Sequence, residues 1–176
     1  MTLIDKILAV HRALRDTGTP HAFGGALALA WCTQQARGTI DIDVNVFVGV
    51  DQASAVLDAL PDGVEWDDAE RALLERDGQV RLWWDRTPVD VFLNTTDFHA
   101  GAAFRARLEP FEGEDVPFLA CRDLAVFKAF FNRTKDWADL EAMAEVGALD
   151  VEAVLGVLAR YLGSDDERLD RLRALT

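Results

Sequence analysis

Residues 39–48 read TIDIDVNVFV, a run in which side chains alternate strictly. A period of two predicts a β-strand with Ile40, Ile42, Val44, Val46 and Val48 on one face and Asp41, Asp43, Asn45 and Phe47 on the other. Asp41 and Asp43 then project from the same face a few ångströms apart. Two unpaired acids so placed repel each other and resist burial, and a divalent cation between them removes both costs. Magnesium suits such a pair, because it takes one or two carboxylates, adds phosphate oxygens and keeps some of its waters. Mg²⁺, or Mn²⁺ in its place, is the expected ion at Asp41 and Asp43. A plainly solvated acidic face satisfies the same pattern, so the neighbouring sequence has to decide.

Upstream, His21-Ala22-Phe23 reads as a short strand running into Gly24-Gly25, and residues 26–35 read as an Ala- and Leu-rich helix. A glycine pair at such a junction lets backbone N–H groups approach a phosphate, with the helix dipole behind them. Downstream, residues 79–84 (QVRLWW) and 89–93 (VDVFL) read as antiparallel strands joined through Asp85-Arg86-Thr87-Pro88. Asp90 alternates against Val89, Val91 and Leu93. An aspartate in mid-strand is unfavourable unless it is paired, hydrogen-bonded or metal-bound. Its expected role is to complete the metal site or to accept a proton from an incoming hydroxyl. Trp83 and Trp84 must face opposite ways, one to the core and one towards a cleft.

Helices are expected at 3–16, 51–60 and 67–76, and again at 122–132, 134–146, 150–162 and 165–175; the stretch from 94 to 117 carries no clear pattern. This order predicts an α+β fold, a mixed sheet flanked by helices with a C-terminal helical segment. The division expected is an α/β core at 1–118 and a helical segment at 119–176 packed on it, or the two as one domain.

The chain has 176 residues, half of them apolar, and a formal net charge of −13. No apolar run approaches the roughly 20 residues that span a bilayer. Asp5, Lys6 and Arg12 interrupt any signal-peptide core at the N-terminus, so a cytoplasmic protein is expected. Cys32 and Cys121 lack metal-ligand spacing and read as two reduced thiols. The negative charge disfavours nucleic acid and suits a cationic small substrate or a basic protein partner. His11, His21 and His99 are too scattered for a zinc site, and His21 is given a structural role.

Gly-Gly, a helix, Asp-Ile-Asp-Val and a single later Asp together resemble the nucleotidyltransferase fold of the polymerase-beta superfamily. More narrowly, GGALALAWCTQQARGTIDIDV looks like the AbiEii-type toxin nucleotidyltransferases, whose Arg-x-Thr-x-Asp-hydrophobic-Asp strand is matched by Arg37, Thr39, Asp41 and Asp43. The segment DLAVFKAFFNRTKDWADLEAM is similar to that group's helical motif, with Lys128, Lys135, Asp136 and Asp139 in the matching places. Many superfamily members carry Ser after the first glycine, where this chain has Gly25. The resemblance implies transfer of a nucleotidyl group from a nucleoside triphosphate to an acceptor hydroxyl. Asp41, Asp43 and Asp90 would be metal ligands and catalytic acids, and Gly24, Gly25, Arg37, Thr39 and Lys128 would bind the nucleotide. Asp136 would support catalysis or proton transfer, and Asp139 would fix helix packing. Lys128 is expected to be solvent-accessible, so that Lys128→Met would cost rate and not stability. An RNA or protein acceptor follows from the toxin resemblance, with a cognate antitoxin as partner. The alternatives are a cationic small-molecule acceptor, as in aminoglycoside and lincosamide resistance enzymes, and a catalytically silent nucleotide-binding module.

Overall fold

The computed structural model describes residues 1–36 and 38–175. It divides into two compact units, Met1–Leu27 with Gly38–Leu119, and Ala28–Arg37 with Ala120–Thr176.

The first unit begins with α1 (Leu3–Asp16). Thr2 and Asp5 cap it reciprocally: the Asp5 N–H donates to Thr2 Oγ1 at 3.2 Å, and the Thr2 N–H to Asp5 Oδ2 at 2.8 Å. Strand β1 (His21–Phe23) leads into α2 (Gly25–Thr33), which starts in this unit. Then come β2 (Ile42–Gly49), α3 (Ala53–Ala59), α4 (Asp68–Asp77), β3 (Gln79–Trp84), β4 (Thr87–Asn94), α5 (Asp97–Arg105), β5 (Arg107–Phe111) and β6 (Glu114–Phe118). The strands form one mixed sheet in the order β3-β4-β2-β1-β6-β5. Strand β2 runs parallel to β4 and antiparallel to β1.

Position in the sheet accounts for two departures from the alternation. Asn45 and Phe47, expected on the polar face, are buried, because β2 lies inside the sheet and its middle is covered on both sides. Ile40 precedes the strand and is 72% exposed. The elements α5, β5 and β6 fill the stretch that showed no pattern. Pro110 and Pro117 mask the strands there, and the connecting Glu112-Gly113 has positive φ at both residues, as a tight hairpin turn requires.

Buried Lys6, on α1, fixes the β3–β4 hairpin. Its ammonium donates to the Trp84 carbonyl at 2.7 Å, to Asp85 at 2.9 Å and to the Thr87 hydroxyl at 3.1 Å. A buried histidine pair joins α1 to β1. His21 Nδ1 lies 2.9 Å from the Thr19 carbonyl, which only accepts, so the proton sits on His21 Nδ1. His21 Nε2 must then accept from His11 Nδ1, 2.9 Å away. Burial lowers the pKa of both rings and so favours their neutral forms, and His21 is buried where α1 meets β1.

Burial, with His11 and Arg15 adding, pushes the His21 pKa down to about 4, although the hydrogen bond to the Thr19 carbonyl opposes the shift. The unfolded chain then binds more protons than the folded one between about pH 6.5 and 4, and stability falls as pH drops through that window. The loss should approach ~3 kcal/mol near pH 4. Urea unfolding followed at stepped pH should show this slope, and His21→Asn should flatten it. An equal slope in both proteins would assign it to other groups.

The second unit contains α6 (Cys121–Phe131), α7 (Thr134–Glu145), α8 (Val151–Leu162) and α9 (Glu167–Arg173), with the rest of α2. Cys32 on α2 is disulfide-bonded to Cys121 at the start of α6, 89 residues along the chain. This corrects the reading of two reduced thiols; only folding brings the pair to bonding distance. Left-handed Asn132 separates α6 from α7, so Lys128 and Lys135 stand on different helices. No described helix is long and apolar enough to cross a membrane.

Candidate functional site

Three strands, β3, β4 and β2, carry one row of functional side chains across the first unit, with Gly24 next to it just after β1. The two-residue turn at Asp85-Arg86 pairs Trp84 with Thr87 and so sets Arg81 opposite Asp90. The parallel register of β2 and β4 sets Asp90 beside Asp43. Beyond Asp43 comes Gly24, whose N–H donates to the Asp43 carbonyl at 2.9 Å. Residues in register share a face, and neighbouring strands lie ~4.8 Å apart, so Arg81, Asp90 and Asp43 are immediate neighbours.

The glycine pair is packed against this row. A Cβ on Gly24 would stand 3.0 Å from Asn45 Nδ2 and 3.2 Å from Leu119 Cδ1. Gly25 has φ of +53°, and a Cβ there would run into the Asp43 carboxylate. At Gly25 this backbone and the Asp43 carboxylate together leave no room for a side chain. Of the two backbone donors expected to face a phosphate, Gly24's is committed to the sheet. The anion-binding potential belongs to the first turn of α2, from Gly25 onward, which holds no acidic residue.

Asp41 lies just before β2 and is braced by Thr39, whose hydroxyl accepts from the Asp41 N–H at 3.1 Å. An open hollow of about 410 Å³ is lined by Gly38, Thr39, Ile40 and Asp41. Arg37 lies outside the described residues.

Arg81 gave no signal in the sequence beyond its strand position. Its guanidinium grips Asp90 at both oxygens, Nε to Oδ1 and Nη2 to Oδ2, each at 2.7 Å. It also lies 3.6 Å from Asp41 Oδ2. Asp90 above all, with Asp41 and Asp43 contributing, raises the Arg81 pKa further above its already high range. Three carboxylates with a small-residue wall are chemically the donors a hard divalent cation takes. As folded, no three His, Cys, Asp or Glu side chains among the described residues converge as a ready metal cage. Each Asp90 oxygen already accepts one hydrogen bond from Arg81. Trp83, two residues along β3 from Arg81, is 47% exposed, while Trp84 is in the core.

Lys128, Asp136 and Asp139 belong to the second unit. Contrary to the expectation of an accessible lysine, Lys128 is only 6% exposed. Its ammonium donates to Asp139 at 2.6 Å and lies 3.9 Å from Asp136. Asp136 is 1% exposed and accepts from the Arg133 guanidinium at 2.6 Å. The physical reason is the turn at Asn132, which folds α7 back so that its first acids meet the last turn of α6.

The order of strands and helices is that of a nucleotidyltransferase fold. Solved structures that share it include the antibiotic-resistance factor ANT(2″)-Ia in solution (TM-score 0.60, 12% identity, covering 90% of each chain). Another is the lincosamide antibiotic adenylyltransferase LnuA with lincomycin bound (TM-score 0.55, 10% identity, 81% of this chain and 96% of that one). A third is ANT(2″)-Ia in complex with adenylyl-2″-tobramycin (TM-score 0.52, 19% identity, 98% of this chain and 93% of that one). At these identities the likeness is one of fold. No protein-family model matches the chain, and no curated protein matches it.

Proposed function

We propose that this protein is a metal-dependent nucleotidyltransferase that moves a nucleoside monophosphate from a nucleoside triphosphate to an acceptor hydroxyl. The observation that carries the reading is the row of Asp43 and Asp90 in register, with Gly25 packed against Asp43 at the head of α2. Asp41 and Asp43 hold Mg²⁺ or Mn²⁺, with Asp90 as third ligand or as proton acceptor. When bound, the metal supplies positive charge to the phosphates and to the pyrophosphate that leaves. Thr39 keeps Asp41 in place, and the first turn of α2 offers N–H groups to the triphosphate. Asp90 takes the proton of the attacking hydroxyl. Lys128 and Asp136 are assigned to holding α6 against α7, since both are buried and ion-paired.

For the acceptor we favour a cationic small molecule. The net charge of −13 opposes RNA, and two of the structures of like fold hold antibiotic ligands, lincomycin and adenylylated tobramycin. A toxin-like enzyme with an RNA or protein acceptor and a cognate antitoxin is the second reading, favoured by the Lys-Asp-x-x-Asp-Leu element at 135–140. Incubation with each α-labelled triphosphate and Mg²⁺ against separate pools of aminoglycosides and lincosamides, tRNA, and protein decides between them. Label on a drug is the expected result, and label on tRNA or protein establishes the second reading. Binding of nucleotide without transfer to any pool would reduce the protein to a silent binding module.

A further inference from the structure

Asp90 is gripped by Arg81 across the β3–β4 pair, which hinders both of its proposed roles. Each of its oxygens accepts one hydrogen bond from Arg81, so a metal or a hydroxyl proton approaching Asp90 meets the guanidinium charge and competes with it. The same guanidinium lies against Asp41. A divalent cation shared by Asp41 and Asp90 has to displace Arg81, which meets both.

We propose that Arg81 is a positioning residue that closes the acid row in the absence of substrate, competes with the metal for Asp90 and Asp41, and turns to the triphosphate when the metal–nucleotide arrives. The inference rests on the nucleotidyl-transfer reading. Three features of the structure support it. First, Arg81 meets the row across the β3–β4 register, where its charge offsets part of the negative charge of Asp90 and Asp41. Second, β3 is at the edge of the sheet and the Arg81 side chain is 48% exposed, so the guanidinium can leave Asp90 for solvent or phosphate at little cost in desolvation. Third, its planar fork fits two phosphate oxygens as well as it fits a carboxylate. A triphosphate brings the new anion with the metal, so the guanidinium exchanges one anionic partner for another. Metal arriving alone has no such compensation and must break the pair.

The test is Mn²⁺ binding to the intact protein, by calorimetry or by the electron paramagnetic resonance of free Mn²⁺, with and without a non-hydrolysable triphosphate. Arg81→Gln should bind Mn²⁺ alone about tenfold more tightly than the wild type and should bind the Mn²⁺–triphosphate about tenfold more weakly. Arg81→Lys keeps the charge without the fork, and should fall between the two for both ligands. It also carries the test should Arg81→Gln not fold, as judged by circular dichroism. A merely structural brace would lower the melting temperature and leave the Mn²⁺ affinity unchanged or weaker, and that result overturns the proposal. Failure of the wild type and both folded variants to bind Mn²⁺ even with triphosphate would instead overturn the metal-dependent reading on which it rests. Binding by all three with equal affinities overturns the role of Arg81 alone.

Discussion

Asp43→Asn is expected to lower nucleotidyl transfer by about a thousandfold or more while leaving the protein as stable as before, or slightly more stable. Asparagine keeps the shape of the side chain and one acceptor oxygen, so the packing of Asp43 against Gly25 and its place beside Asp90 are preserved. What is removed is the negative charge that holds the metal, and loss of comparable electrostatic stabilisation costs roughly 3–4 kcal/mol in the transition state. The folded state meanwhile loses a repulsion between neighbouring carboxylates on β2 and β4. Single-turnover rates with saturating Mg²⁺ and triphosphate measure the first effect, and urea unfolding measures the second. A folded variant that retains a tenth of the wild-type rate would show that Asp43 is not a metal ligand.

Lys128→Met is expected to destabilise the protein by about 3–5 kcal/mol, the usual result of removing one partner from a buried ion pair. The ammonium neutralises part-buried Asp139 directly and stands near Asp136, so its loss removes positive charge that both acids meet. Methionine replaces the stem but donates nothing. For a chain of this length the melting temperature should fall by roughly 10 °C. The double change Lys128→Met with Asp139→Leu should recover at least half of the loss, because it removes the carboxylate that lost its ammonium as well. A single variant within 1 kcal/mol of wild type would restore the accessible, phosphate-binding lysine that the sequence pattern suggests.

The two predictions differ in kind because their residues differ in how far they could be read. Strict alternation in 39–48 and in 89–93 is local, and with a period of two it sets Asp41 with Asp43, and Asp90 against its aliphatic neighbours, before any partner strand is known. The order of helices and strands is likewise local, and it was enough for the mixed sheet with flanking helices. What escaped was the stretch 94–117, where two prolines interrupt the strand pattern while a hairpin turn makes pairing with β1 the deciding interaction.

Sequence by itself therefore determined which residues could share a face, since covalent geometry dictates the period of a strand and the rise of a helix. It determined too that Gly24-Gly25 closes a strand and opens a helix. Only the tertiary structure decided which faces met. It set Asp43 beside Asp90 through a parallel register, brought Arg81 to Asp90 through a two-residue turn, and put the Asp43 carboxylate where a side chain on Gly25 would lie. It likewise joined Cys32 to Cys121, and turned Lys128 inward to Asp139 by folding α7 back at Asn132. Each of these is a contact between segments distant in the chain or reversed by a turn. Such contacts depend on register and burial, which no local pattern of residues specifies.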